Sequence, residues 1–417
     1  MSVAGTAKGA DPGPKASRLQ DNLNTMAAIG AQPNGSVCRR AFSQEDQQSR
    51  ELLASWMAKA GMGVRVDAAG NLIGRLDGRE AHSPVLMMGS HLDTVPNGGR
   101  FDGVLGVLAG LEVVRCLREQ GRQLHHPVEL VVFADEESTM VGSKAIAGTA
   151  LLDPDQYTTN NGQAIEVNLK RIGGDFSALT TARREDAEIA AYLELHVEQG
   201  GVLERRDDVI GVVEGVVGIR RFTVTIEGEA NHAGTTPMCG RRDALVAASQ
   251  VVLAVNGLSR NHPSQPVATV GKLDVWPNAA NVVPGQVVMS VAMRDLNPSV
   301  LDLLCRELEG ELEAIRANTG CTVQLTPQFS VDPTPADPLL SSTIREVAAD
   351  LGLRHSDLPS RASHDAQEMG RRWPMGMIFV PSRGGLSHTP AEFTSSDDCA
   401  AGTAVLLETL QRLDRRL

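Results

Sequence analysis

Several short apolar runs in this chain end beside a histidine or a glutamate. Residues 85–88 lead into Gly89-Ser90-His91-Leu92-Asp93, and residues 128–133 into Ala134-Asp135-Glu136-Glu137. Residues 192–195 lead into His196, and residues 377–380 lead towards Ser387-His388. A further acid, Asp102, stands in Phe101-Asp102-Gly103 ahead of an apolar stretch. Imidazole nitrogen and carboxylate oxygen are the usual ligands of a catalytic zinc ion, which keeps one position for water. His91, Asp102, His196, His388 and one glutamate of the Glu136-Glu137 pair therefore form a candidate ligand set. Sharing them between two ions requires a bridge, and the two oxygens of Asp102 suit it.

The neighbours of these residues supply the rest of a hydrolytic site. Asp93, two residues after His91 in an extended segment, is expected to accept the imidazole's other N–H and fix its tautomer. Glu136 and Glu137 are adjacent, and an extended backbone sends successive side chains to opposite sides. One can then bind metal while the other serves as general base towards an activated water. Taken singly, each residue has a plainer explanation. Asp102 could cap the following helix, the glutamate pair could be a solvated turn, and a strand-end histidine could be a hydrogen-bonding group. Their recurrence at equivalent strand ends favours the metal. His82, His125, His126, His262 and His355 fall outside the pattern and read as surface residues.

The runs themselves have the length and continuous apolar character of strands buried on both faces, as in a parallel or mixed sheet. Residues 44–60 and 103–118 carry helical periodicity, so the chain contains a strand–helix–strand unit, the signature of an α/β domain. Ligands in open α/β sheets bind beyond the carboxyl ends of the strands, where the candidate residues fall. Residues 216–329 have a different rhythm. Strands at 220–227, 268–275, 286–293 and 321–329 alternate with helices at 242–258 and 299–318, the βαββαβ order of a ferredoxin-like sandwich. The expected architecture is a mixed-sheet α/β domain (17–215 and 330–417) that holds two metal ions, interrupted by a ferredoxin-like α+β domain (216–329). Residues 1–16 read as a disordered tail.

Bulk properties narrow the function. A chain of 417 residues suits two domains. The formal net charge is −12 with no clustered Lys/Arg stripe, which excludes nucleic acid as a partner. No apolar run is long enough to span a membrane, and no secretory leader is visible. The six cysteines form no C-x-x-C pair and suit a reducing cytoplasm. The expected cofactors are two divalent ions, zinc first, with manganese, cobalt and nickel as alternatives.

Longer segments resemble a known family. GSHLDTVPNGGRFDGVLGVLAGLEVVR (89–115), FADEE (133–137), LELHVEQGGVLE (193–204), GEANHAGTTPM (228–238), PNAANVVPG (277–285) and MIFVPSRGGLSHTPAE (377–392) are similar to the hydantoinase/carbamoylase-type amidases. That branch of the two-metal aminoacylase/carboxypeptidase superfamily includes N-carbamoyl-L-amino acid hydrolases, β-ureidopropionases and allantoate amidohydrolases. The resemblance implies that His91, Asp102 and His196 hold one ion and that Asp102, Glu137 and His388 hold the other, with Glu136 as the base. It implies that the inserted domain is a lid and homodimerisation domain whose His232 polarises the scissile carbonyl. It also implies that Gln199, Asn281 and Arg294 bind the amide and carboxylate ends of a small ureido substrate. The chain departs from the family at Ser138-Thr139-Met140-Val141, where the loop is short, and at Ser360-Arg361-Ala362-Ser363, where Arg361 replaces a usual glycine. The implied activity is hydrolysis of an N-carbamoyl carboxylic acid to ammonia and carbon dioxide. The rival activities are allantoate hydrolysis, aminoacylase or dipeptidase action and, more distantly, ureide binding without catalysis.

Overall fold

The computed structural model describes residues 13–260 and 262–417, and the chain divides into two units, 1–215 with 336–417, and 216–335. Most of the expected tail, residues 1–12, lies outside the described residues. Ala16 already opens the helix Ala16–Ala28, whose Leu19, Leu23 and Met26 are buried.

The larger unit is built on a mixed sheet. Its strands lie in the order Gly63–Val66, Leu72–Leu76, Val128–Phe133, Val85–His91, Ile189–Val197, Met375–Val380 and Ile210–Val216. Val85–His91 is parallel to both its neighbours, as is Ile189–Val197. Antiparallel pairs close both sides of this parallel core. Every residue of Val85–His91, Val128–Phe133 and Met375–Val380 is buried, which explains why these strands read as unbroken apolar runs rather than alternating ones. On one face lies the helix Val104–Glu119, almost wholly buried, packed against Ala16–Ala28 and Ser396–Arg416. The short helix Asp365–Met369 packs against Val85–His91 and Ile189–Val197 and against the helix Val141–Ala147.

Register brings the candidate residues to one edge. Met88 stands opposite Leu193 on adjacent parallel strands. Three residues further along each, His91 and His196 leave the sheet side by side. His91 pairs with Phe133, which fixes the height of the Asp135–Glu137 segment.

The smaller unit has four long antiparallel strands in the order Thr322–Val331, Gly218–Glu227, Gln286–Asp295, Val267–Trp276. The helices Ala244–Arg260 and Pro298–Thr319 connect them in βαββαβ order. Alternate residues such as Val287, Met289, Val291 and Met293 are buried with Val251, Leu304 and Leu308. The second helix begins where Asn297 accepts an N–H from Ser299 and Pro298 follows, and it ends at Gly320 with φ 66°, the expected Pro-first, Gly-last asymmetry. The last strand continues to Val331, past the boundary of 329 read from sequence. Among the described residues, no helix is long and apolar enough to cross a membrane.

Candidate metal centre

Two imidazoles are oriented by the backbone before any ion is considered. The Nδ1 of His91 lies 2.9 Å from the carbonyl oxygen of Asp93, and the Nδ1 of His196 lies 2.9 Å from that of Val197. A carbonyl oxygen can only accept, so Nδ1 carries a hydrogen on both rings, and in the neutral imidazole Nε2 is the atom left to bind a cation. Both Nε2 atoms face the same acid. His196 Nε2 is 3.2 Å and His91 Nε2 3.5 Å from Asp102 Oδ1. Lone pairs facing a carboxylate repel unless a positive charge sits between them. Two ligands each about 2.1 Å from one tetrahedral ion stand roughly 3.4 Å apart, so these separations fit a shared cation.

The other oxygen of Asp102 faces a second group. His388 Nε2 is 3.2 Å from Asp102 Oδ2 and 3.5 Å from Glu137 Oε1. Ligand atoms of His91, Asp102 and His196 lie within 4.8 Å of one another, as do those of Asp102, Glu137 and His388. Gln199 Nε2 donates to Asp102 Oδ2 at 2.7 Å, and the Ser387 hydroxyl lies equally close. The donor set of nitrogen and oxygen atoms, with Asp102 shared, fits two borderline divalent ions such as zinc.

Electrostatics agree with the demand for positive charge. The hydrogen bond to Asp102 raises the His388 imidazole to about 9 against the opposing effect of burial. Burial raises Glu137 to about 7, with Asp102 and Asp93 adding to it while His91 and His388 oppose. Glu136 is pushed well above the usual carboxylate range, first by burial and then by Asp365 and Glu137, although His91 acts against this.

Some local expectations are corrected. Asp93 does not fix the His91 tautomer through its side chain. Its carbonyl oxygen takes that hydrogen bond, and its carboxylate, 3.8 Å from Nδ1, instead accepts N–H groups from Glu136 at 3.4 Å and Glu137 at 3.1 Å. Nor do Glu136 and Glu137 point to opposite sides of an extended chain. Asp135 has φ 58° and residues 136–139 form a turn, so the backbone swings both side chains towards His91. Glu136 Oε2 lies 3.6 Å from His91 Nε2. His126 is not a surface residue either: it is buried, with Nδ1 2.8 Å from the carbonyl oxygen of Pro84.

Gly103 explains how the centre closes. It precedes the helix Val104–Glu119 with φ 65°, and its N–H donates to His196 Nε2 at 3.1 Å. A Cβ at this position would come within 2.5 Å of the His91 ring.

A buried polar layer behind the centre was not anticipated. Glu194 accepts from the Ser90 hydroxyl (2.8 Å), the Tyr192 hydroxyl (2.9 Å) and the Ala366 N–H (3.0 Å). The His364 ring packs edge-on against His196 with centroids 4.5 Å apart, and its Nε2 lies 2.9 Å from the Ser360 hydroxyl. The signal for Glu194 was present in the sequence, because residues 192, 194 and 196 share one face of a strand. Around His364 the sequence carried only the departure from the family at residues 360–363.

The remaining candidates belong to the smaller unit. The short strand Asn231–His232 pairs with Val282–Val283, and the Ala233 N–H donates to the carbonyl of Asn281, so His232 and Asn281 are neighbours. His232 is exposed and its Nδ1 accepts N–H groups from Gly234 and Thr235, which leaves Nε2–H as a donor. Arg294 is half-buried opposite Ile219, on the sheet face away from the helices.

The chain is similar to known proteins. Residues 87–412 match the family described as peptidase family M20/M25/M40. The chain is 40% identical over 407 residues to an N-carbamoyl-L-amino acid amidohydrolase of Geobacillus stearothermophilus, covering 95% of this chain and 98% of that one. It is 36% identical over 403 residues to an allantoate amidohydrolase of Escherichia coli (strain K12), covering 95% and 97%. A crystal structure of a hydantoinase/carbamoylase family amidase from Burkholderia multivorans has a TM-score of 0.91 and 38% identity over 96% of this chain and 98% of that one. The chain thus belongs to peptidase family M20/M25/M40, among its hydantoinase/carbamoylase-type amidases, and is a hydrolase of carbon–nitrogen bonds other than peptide bonds.

Proposed function

We propose that the centre holds two divalent ions and hydrolyses the terminal C–N bond of an N-carbamoyl carboxylic acid, with an N-carbamoyl-L-amino acid as the leading substrate. Asp102 carries the reading: one of its oxygens faces His91 and His196, and the other faces His388 beside Glu137. Zinc suits the donor set best, with manganese, cobalt and nickel as alternatives. Bound there, the ions would polarise the scissile carbonyl and make water a nucleophile near neutral pH.

This chain's own residues do the remainder. Glu136 is the general base, and its burial and its turn place it beside His91 rather than in solvent. It takes a proton from the attacking water and returns it to the departing nitrogen. His232 presents an Nε2–H donor suited to a developing oxyanion. Arg294 offers a planar fork for the substrate carboxylate, while Gln199 and Asn281 can donate to and accept from a ureido group. Water and an N-carbamoyl amino acid become the amino acid, ammonia and carbon dioxide. The 216–335 unit acts in this reading as lid and homodimerisation domain.

The test is ammonia release by metal-loaded protein from N-carbamoyl-L-amino acids, β-ureidopropionate and allantoate, with N-acetyl-amino acids and dipeptides as controls. Release from carbamoyl amino acids supports the proposal. Preferential release from allantoate replaces the substrate, and cleavage of only acetyl or peptide amides overturns the ureide assignment.

A further inference from the structure

We propose that Glu392 is a positioning residue that locks together the two loops carrying Asp102 and His388, and so sets the affinity of the second ion. The inference rests on the two-ion reading above. Glu392 lies four residues beyond His388 and is buried. Its N–H donates to the Thr389 carbonyl at 3.1 Å, which closes the loop after His388 into a turn. Its side chain then crosses to the other loop. Oε1 accepts N–H groups from Phe101 at 2.7 Å and from Asp102 at 3.1 Å. Oε2 lies 2.8 Å from the hydroxyl of Ser387, which itself lies 2.7 Å from Asp102 Oδ2.

One carboxylate thereby holds the backbone at Asp102 with one oxygen and the residue before His388 with the other. Two further observations show that the clamp is built in. A Cβ on Gly99 would fall 2.1 Å from the Glu392 carboxyl carbon, so the 99–102 backbone is shaped to receive it. Phe393, the next residue, packs edge-on against Phe101 with ring centroids 6.1 Å apart. The clamp also accounts for an otherwise costly conformation. His388 has φ 55° and is half-exposed, a backbone state that a non-glycine residue holds only when its surroundings impose it. His91 and His196, by contrast, are fixed by strands and by backbone carbonyls and do not touch Glu392. Asp102 is common to both ions, but only His388 also depends on the clamp through its own loop, so loss of the clamp should weaken the ion held by Asp102, Glu137 and His388 more than the ion held by His91, Asp102 and His196.

The experiment measures zinc per chain on the full-length protein by elemental analysis during competition with a chelator. Wild type should hold two ions, and Glu392→Ala should lose one of them on the order of 10- to 100-fold more readily, the usual effect of removing a residue that orients a ligand. The ion at His91 and His196 should weaken much less. Glu392→Gln should restore most of the affinity, because its carbonyl can accept both N–H groups and its amide can donate to Ser387. Two ions of wild-type affinity in Glu392→Ala, or equal weakening of both ions, overturns the inference. So does a Gln variant as weak as the Ala variant, which would assign the effect to charge. Should Glu392→Ala not fold, Ser387→Ala carries the test: selective weakening of one ion supports the clamp, and unchanged affinity overturns it. A wild type that holds fewer than two ions overturns the two-ion reading itself.

Discussion

The carboxylate of Asp93 accepts the backbone N–H of Glu137 at 3.1 Å. This ties the turn that carries both glutamates to the strand end that carries His91. The tie is needed because Asp135 at φ 58° sends the chain out of the sheet with no strand partner to hold it. In Asp93→Asn one acceptor oxygen becomes a donor and faces a backbone N–H. Activity should fall roughly 10- to 100-fold, the effect of disturbing a group that orients a ligand. Steady-state kinetics with metal analysis check this, and wild-type kcat in the variant would show that the turn holds without Asp93.

Glu136 and Glu137 leave the same turn but are assigned different work. Glu136→Gln preserves shape and removes the proposed base. Turnover should drop by about two to four orders of magnitude, the usual contribution of general acid–base catalysis, while metal content stays at the wild-type value. If the variant instead loses an ion and keeps activity once metal is added in excess, the roles of the two glutamates are reversed.

The order of elements and the gathering of His91, Asp102, Glu137, His196 and His388 at one edge of the sheet were legible from sequence because both rest on local pattern. Fully buried strands show as unbroken apolar runs, and strand ends announce the residues that leave the sheet. His91 and His196 meet because parallel strands in register end at one edge, a consequence of topology that the runs already imply. What could not be read depends on backbone direction after the strand. The expectation of an extended chain at Glu136–Glu137 failed because Asp135 adopts a left-handed conformation with no glycine to announce it. The Asp93 reading failed for a related reason, since the sequence offers a carbonyl and a carboxylate at the same residue and only geometry decides which meets the imidazole. Glu392 is separated from Phe101 by 291 residues, a distance that no local pattern spans.

Gly103 supports a prediction about the first half of the centre. At φ 65° a side chain is strained, and a Cβ would stand 2.5 Å from His91 Nε2. Gly103→Ala should lose about 1–3 kcal/mol of stability from the backbone alone. It should also weaken the ion at His91 and His196, the reverse of the selectivity expected for Glu392→Ala. Zinc competition on the two variants side by side checks this, and identical profiles would contradict it.

The cysteines give a test of the core. All six are free thiols. Burial pushes the thiols of Cys116 and Cys399 up to about 12, so neither forms thiolate near neutral pH, and both lie in the core. Cys239 is exposed. A thiol reagent under native conditions should therefore label Cys239 first and reach Cys116 and Cys399 only on unfolding. Peptide mapping after timed labelling reads the order, and early modification of Cys116 would contradict the packing of helix Val104–Glu119.

Removal of metal should cost stability as well as activity. Glu137 clusters with Glu136 on one side and with Asp102 on the other, all three largely out of water, and two of the facing imidazoles have their Nδ1 hydrogens committed to backbone carbonyls. Without cations, only added protons can relieve the repulsion among these groups. An ion present at a hundred times its dissociation constant adds about 2.7 kcal/mol to the folded state, so two ions should raise the unfolding midpoint by several degrees. Calorimetry of chelator-treated protein, repeated after zinc or manganese is restored, measures the difference alongside ammonia release. Recovery of both midpoint and activity on adding one metal would tie the folded centre to the catalytic one. A midpoint indifferent to metal would mean that the ligand geometry is held by protein contacts alone, and that the ions serve the chemistry without supporting the fold.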